Sequence, residues 1–172
     1  SMAGEPVLKA QAAMEAFANQ MDYDYTKVGV LEFADRTKML VEPTDDLNQV
    51  LRGIGSIKVG DVGIGNRAEP FTDALSAFGT TDAEETIRYL IVLTDGMWSN
   101  SDYAIQQAQR CHDGGIEVMA LGFGGADYRF LKRIASTDEF ASLTNLSDLT
   151  GSFSKIAQVI GDSIPGSGLR MR

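Results

Sequence analysis

Tyr89-Leu90-Ile91-Val92-Leu93-Thr94-Asp95-Gly96 (YLIVLTDG) decides how this chain is read. Five apolar residues stand in a row with no helical spacing, too short for a buried helix and rich in β-formers. Such a run suits a strand covered on both faces, at the centre of a parallel sheet. In open α/β sheets ligands gather outside the carboxyl ends of the strands, so Asp95, directly after the run, is the first candidate for a binding role.

Working outward, Asp102 opens a helix through Ile105 and Ala108 to Gly114, and Ile116–Phe123 (IEVMALGF) returns as a second buried strand. A helix over Tyr128–Ala135 and a short strand at Ala141–Leu143 follow. Leu146, Leu149, Phe153, Ile156 and Ile160 then form a helical stripe for the closing element. On the amino-terminal side, Phe71, Ala74, Leu75 and Phe78 mark a helix that stops at Gly79. Lys27–Phe33 and Thr37–Val41 read as a hairpin, and Pro6 starts a helix carrying Val7, Ala10, Met14, Phe17 and Met21. Asp45 and Asp46 can cap a helix with Leu47, Val50, Leu51 and Ile54, and the glycine-punctuated stretch 53–65 is an irregular crossover. Strands alternating with amphipathic helices predict a doubly wound α/β fold, mostly parallel, with helices on both faces and one antiparallel edge.

Composition narrows the function. At 172 residues, 44% apolar and 23% charged, the chain has the size and balance of one globular domain, here residues 1–162, with 163–172 as a tail or linker. No run approaches the roughly 18 apolar residues of a membrane helix. A net charge of −9 supplies no basic face for a phosphate backbone, which argues against nucleic acid. One cysteine, Cys111, forms no disulfide framework, and with His112 as the single histidine neither a Ser/His/Asp triad nor a zinc site assembles. We therefore expect no enzyme. The compartment stays open between cytoplasm and bacterial periplasm or cell surface.

Two glycine patterns invite nucleotide readings and fail them. Gly63-Ile-Gly65-Asn-Arg-Ala68 fits G-x-G-x-x-A, but no buried strand precedes it. Gly122-Phe-Gly124-Gly125 follows a strand but lacks the Lys and Ser/Thr of a phosphate loop.

The order helix, hairpin (VGVLEF), helix, LIVLTDG, helix, IEVMALGFG resembles the von Willebrand factor type A family over nearly the whole chain. The resemblance implies a Mg²⁺-dependent adhesion site and a protein partner. In that family the site is built from an Asp-x-Ser-x-Ser run after the first strand, a threonine in a middle loop, and the aspartate of a T-D-G motif. Asp95 matches the last of these directly. The opening Ser1-Met2-Ala3-Gly4 looks like the tail of the first motif and places Ser1 at its final serine, although Ser-Met is also a common expression-tag remnant. The first strand and the motif's aspartate have no counterpart here. We expect the slot between its neighbours to be closed by rearrangement, strand exchange with another copy, or strand donation. Glu69 stands where the metal-binding threonine belongs, with Thr72 three residues later. A second carboxylate beside Asp95 weakens the site's pull on an acidic ligand, so cation binding is expected to be weak or absent.

Each candidate has a plainer alternative. Asp95 could cap a turn, and Glu69 before Pro70 could be a first-turn anion of the helix. Trp98, the lone tryptophan, is either a partner anchor or packing; Ser99 and Thr72 are partner-binding candidates that could equally serve turns and caps. The leading expectation is a protein-binding module. The alternatives are a metal-independent scaffold acting through its sheet edge and, less favoured, a small nucleotide-binding enzyme.

Overall fold

The computed structural model describes residues 4–79 and 86–164. Ser1 and residues 165–172 of the expected tail lie outside the described residues, and Ser163, the tail's first residue, ends the last helix.

Helix α1 (Glu5–Asn19) takes Pro6 in its first turn, where a missing amide hydrogen breaks no bond, and buries Ala10, Ala13, Phe17 and Ala18. Strands β1 (Val28–Phe33) and β2 (Thr37–Thr44) form the antiparallel hairpin. β2 runs three residues past the expected end at Val41 because its register shifts opposite Gly29. Pro43 sits in that bulge, where a Cβ on Gly29 would lie 3.2 Å from the ring. Helix α2 (Leu47–Gly55) is capped as expected by Asp46, whose carboxylate accepts from the Gln49 amide at 3.2 Å.

Helix α3 (Phe71–Phe78), strand β3 (Arg88–Thr94), helix α4 (Ser101–Asp113) and strand β4 (Ile116–Gly122) follow in order. Helix α5 (Tyr128–Ile134), strand β5 (Ala141–Leu143) and helix α6 (Leu149–Ser163) complete the chain. Leu146, the first member of the closing stripe, lies in a short 3-10 turn just before α6.

Strands β3, β4 and β5 form a parallel sheet in that order, paired from Arg88↔Ile116 to Thr94↔Gly122 and from Ala120↔Ala141 to Gly122↔Leu143. Alternate side chains build two cores, as the period of a strand requires. Leu90, Val92, Ile116, Val118 and Ala120 pack with Phe71, Trp98, Phe130 and Leu131 on the α3, α4 and α5 side. Tyr89, Ile91, Leu93 and Leu121 meet Phe17 of α1 and Leu149, Phe153 and Ile160 of α6. A third cluster joins Ala18, Val41, Val50 and Ile54 beneath the hairpin. This is the layered α/β arrangement the sequence predicts.

The hairpin is a sheet of its own: among the described residues no ladder joins β1 to β3. Their carboxyl ends nevertheless meet at one end of the molecule. Phe33 closes β1 and stands edge-on to Trp98, four residues beyond the end of β3, with ring centroids 5.1 Å apart. On the opposite face Met14 of α1 packs into both the α6-side core and the hairpin core. Side-chain packing and loop hydrogen bonds, with no strand ladder among the described residues, link the two sheets.

Candidate functional site

The loops at the carboxyl ends of the strands are laced by backbone bonds. Thr94 O accepts from Phe123 N and Asp95 O from Gly125 N, both at 3.1 Å. Gly124 has φ +59°, and a Cβ there would lie 3.5 Å from Asp95 O, so the β4–α5 turn lies close against the end of β3. Asp95 is half-buried. It lines an open cleft of about 680 Å³ with Pro6 and Lys9 of α1, Phe123 to Gly125, and Asn145 to Ser147. Lys9 is paired with Glu5 at 2.9 Å.

Glu69 takes the plainer of its two expected roles. Helix α3 opens with amide hydrogens that lack intrahelical acceptors. The Glu69 carboxylate supplies them, accepting from Phe71 N at 2.6 Å, Thr72 N at 3.1 Å and the Thr72 hydroxyl at 2.7 Å. Thr72 is exposed, but its hydroxyl serves this cap.

Trp98 is in the core, not at a docking surface. It is 8% exposed, ringed by Phe33, Phe71 and Phe130, with centroids 5.1, 6.0 and 5.0 Å away. Its indole N–H donates to Thr94 Oγ1 at 3.0 Å. The loop after Asp95 turns inward to fill the space under the hairpin, which corrects the reading of Trp98 as a partner anchor. Ser99, by contrast, is exposed, and its amide donates to Asn66 O at 3.1 Å while its hydroxyl donates to Asn66 Oδ1.

Asn66 has no signal in local sequence, yet it joins the two loops, since its side-chain amide also donates to Met97 O at 2.6 Å. Asp35 was likewise silent. It sits in the turn of the hairpin and accepts from Gly65 N at 3.0 Å and Arg67 Nε at 3.1 Å. The Arg67 guanidinium, with the amides of Gly65 and Ile64, holds the Asp35 carboxyl below the usual range. A Cβ on Gly65 would overlap that carboxylate, and one on Gly63 (φ +96°) would come within 2.5 Å of it. The glycine spacing that mimics a dinucleotide fingerprint is what wrapping Asp35 demands.

The donors for a cation are few. Asp95 is at the rim, Glu69 is committed to the α3 cap, and Ser1 lies outside the described residues. Among the described residues no group of three or more His, Cys, Asp or Glu side chains is placed to hold a metal. Those residues alone do not fit a divalent cation, which takes around six oxygen ligands. Away from the rim, the Cys111 thiol is fully buried, donates to Phe71 O at 3.5 Å, and is pushed up to about 12 by burial and then by Glu69. His112, near the end of α4, donates to Ile134 O at 3.1 Å.

An α/β sandwich in which β3, the edge strand of the parallel sheet and not the central strand its apolar run suggests, ends in an aspartate beside a cleft defines a class of domain that presents its strand ends to other molecules. Within that class the chain belongs to the von Willebrand factor type A domain family, whose model matches residues 1–158. It is 30% identical over 123 residues to the human collagen alpha-5(VI) chain, covering 69% of this chain and about 5% of the relative's length. The fold is similar to the vWF domain of the type V pili tip protein Mfa5 of Porphyromonas gingivalis, with a TM-score of 0.80 and 12% identity, covering 95% of this chain and 92% of that one. It is also similar to the manganese-loaded TRAP protein of Plasmodium vivax, with a TM-score of 0.70 and 16% identity over 90% of this chain and 67% of that one. Among the described residues no helix is long and apolar enough to cross a membrane.

Proposed function

We propose that this domain binds a protein partner at the rim formed by residues 66–72 and 95–101, together with the chain's first six residues. The observation that carries this reading is Asp95, following the carboxyl end of β3 beside an open cleft, on a loop that Asn66 ties to the segment before α3. Membership of the von Willebrand factor type A family, together with a fold shared with a pili tip domain and a manganese-loaded TRAP protein, supports an interaction role over chemistry. No triad, zinc set or phosphate loop competes with it in the sequence.

A bridging Mg²⁺ belongs to this reading only as a weak ligand. Asp95 would hold it with Ser1, and Glu69 would have to abandon three hydrogen bonds to join them. Calorimetric titration with Mg²⁺ and Mn²⁺ is the test. Weak binding, abolished by Asp95→Asn, is the expected result, and micromolar affinity would overturn it.

A second reading is favoured by one observation, the inner edges of β1 and β3, which no strand pairs with among the described residues. The free flank of β2 carries Lys38, Glu42 and a proline bulge, and β5 is three residues long, both ordinary ways of guarding an edge. The flank of β3 that faces the hairpin has no such guard over Leu90 to Leu93. A strand supplied by a second copy or a partner would cover it, and assembly would then be indifferent to chelator. Sedimentation across a range of concentrations tests this: association unchanged by EDTA supports it, and a monomer at every concentration sinks it.

A further inference from the structure

The cleft beside Asp95 combines apolar walls with a carboxylate. Pro6 and Leu146 supply the walls, Gly124 and Gly125 bring no side chains, and Asp95 stands among them. Asn145 and Ser147 line the same cleft and are exposed, with Asn145 Oδ1 accepting from the Ser147 hydroxyl at 2.5 Å. At about 680 Å³ the cleft has room for one long side chain together with the peptide groups on either side of it. Lys9, the cation among the described lining residues, is held in its pair with Glu5 at 2.9 Å.

The charge at this end of the sheet is negative. Helices α1, α3, α4, α5 and α6 all begin here, and each helix start carries about half a positive charge. Glu5, Glu69, Asp95, Asp102, Asp127 and Asp148 stand on the same starts and loops. These carboxylates outweigh the helix ends and Lys9 together. The neighbouring Asp35 and Arg67 cancel as a pair, as do Asp73 and Arg129 in the first turns of α3 and α5. The chain's net charge of −9 adds to the same sign. An acidic partner is repelled at this face and a basic one is steered to it.

A divalent cation needs around six oxygen ligands, more than the described residues supply. A guanidinium asks for less. One carboxylate can take two of its N–H groups side by side, while the methylenes behind it lie along apolar surface. An ammonium carries the same charge but is more strongly hydrated and lacks the planar fork.

We propose that the cleft receives an arginine side chain of the protein partner, with the guanidinium on the Asp95 carboxylate and the methylenes against Pro6 and Leu146. This rests on the reading of the rim as the docking face and names the chemistry of what docks.

Amide NMR of the isotope-labelled full chain, titrated with an acetylated and amidated Gly-Arg-Gly peptide, tests it. One comparator replaces arginine by citrulline, which keeps the shape and loses the charge; the other replaces it by glutamate, with Mg²⁺ added. Saturable shifts at Gly124, Gly125 and Ser147 with a Kd of about 1 mM are expected for the arginine peptide. A loss of about tenfold or more is expected with citrulline and in Asp95→Asn, each variant's spectrum verifying its fold. Lys9→Gln, which removes a repelling ammonium, should tighten arginine binding about twofold. Equal binding of arginine and citrulline would overturn the proposal. Glutamate with Mg²⁺ shifting these amides while arginine does not would overturn it and leave the rim reading standing. Shifts confined to other surfaces, or none with any peptide, would remove both.

Discussion

Strands β3 and β4 are both seven residues long, both apolar, and paired to each other along their whole length, yet they are buried very differently. In β4 every residue but Glu117 is buried, whereas in β3 only Arg88, Val92 and Thr94 are. Composition does not separate them. Neighbours do: β5 covers the carboxyl half of β4, and among the described residues no strand pairs with the far flank of β3. The lesson is that an apolar run announces a demand for burial, and the topology decides how much of that demand is met.

The largest expected effect exploits that contrast. Leu121→Ala in β4 removes a side chain 1% exposed and is expected to cost about 3 kcal/mol, while Ile91→Ala in half-buried β3 costs about 1.5 kcal/mol. Urea denaturation of both variants measures the ratio. Equal losses would mean that β3 is covered in solution, the outcome that strand exchange requires.

A smaller effect concerns the Phe33–Trp98 aromatic bridge between the two sheets. Thr94→Val keeps the shape of the side chain but takes the acceptor from the buried Trp98 indole, and is expected to cost about 1–2 kcal/mol. Thermal unfolding followed by tryptophan fluorescence reads it. No change would indicate that the indole finds another acceptor and that the bridge depends on ring contacts alone.

The smallest belongs to β1, the other strand flanking the gap. Burial, then repulsion from Asp61, pushes the Glu32 carboxyl up, and one of its oxygens has no hydrogen-bond partner. A raised folded value means that ionisation works against folding. The penalty is absent below the unfolded carboxyl range and grows as pH rises through the folded one. Glu32→Gln should therefore raise the melting temperature by about 2 °C at neutral pH, with the gain fading toward about pH 4. A gain that persists in acid would assign it to something other than charge.

Much of this fold is legible from local pattern. The LIVLTDG run locates a strand and its rim aspartate but not its place, which is the edge and not the centre of the described sheet; Asp46 announces a cap that forms, and the α6 stripe packs as its spacing requires. What escapes is whatever depends on residues distant in the chain. Trp98 lies in a loop rich in turn residues, and nothing nearby says that Phe33 and Phe130 wait beneath it. The Asp35 wrap joins residues 30 apart and reads locally as a weak glycine motif. Glu69 was better marked, since a carboxylate just before Pro70 at a helix start is suited to the cap it makes. Its metal role drew on resemblance alone.

Cys111, sealed against Phe71 and reluctant to ionise, gives the chain one silent thiol. Reagents that modify sulfur at neutral pH will pass it by, so dyes or spin probes can be attached after Glu42→Cys and Ser142→Cys without first removing the native residue. Those positions are exposed and sit on opposite flanks of the divided sheet, and the separation of the two probes would report directly whether the halves spread when an extra strand arrives.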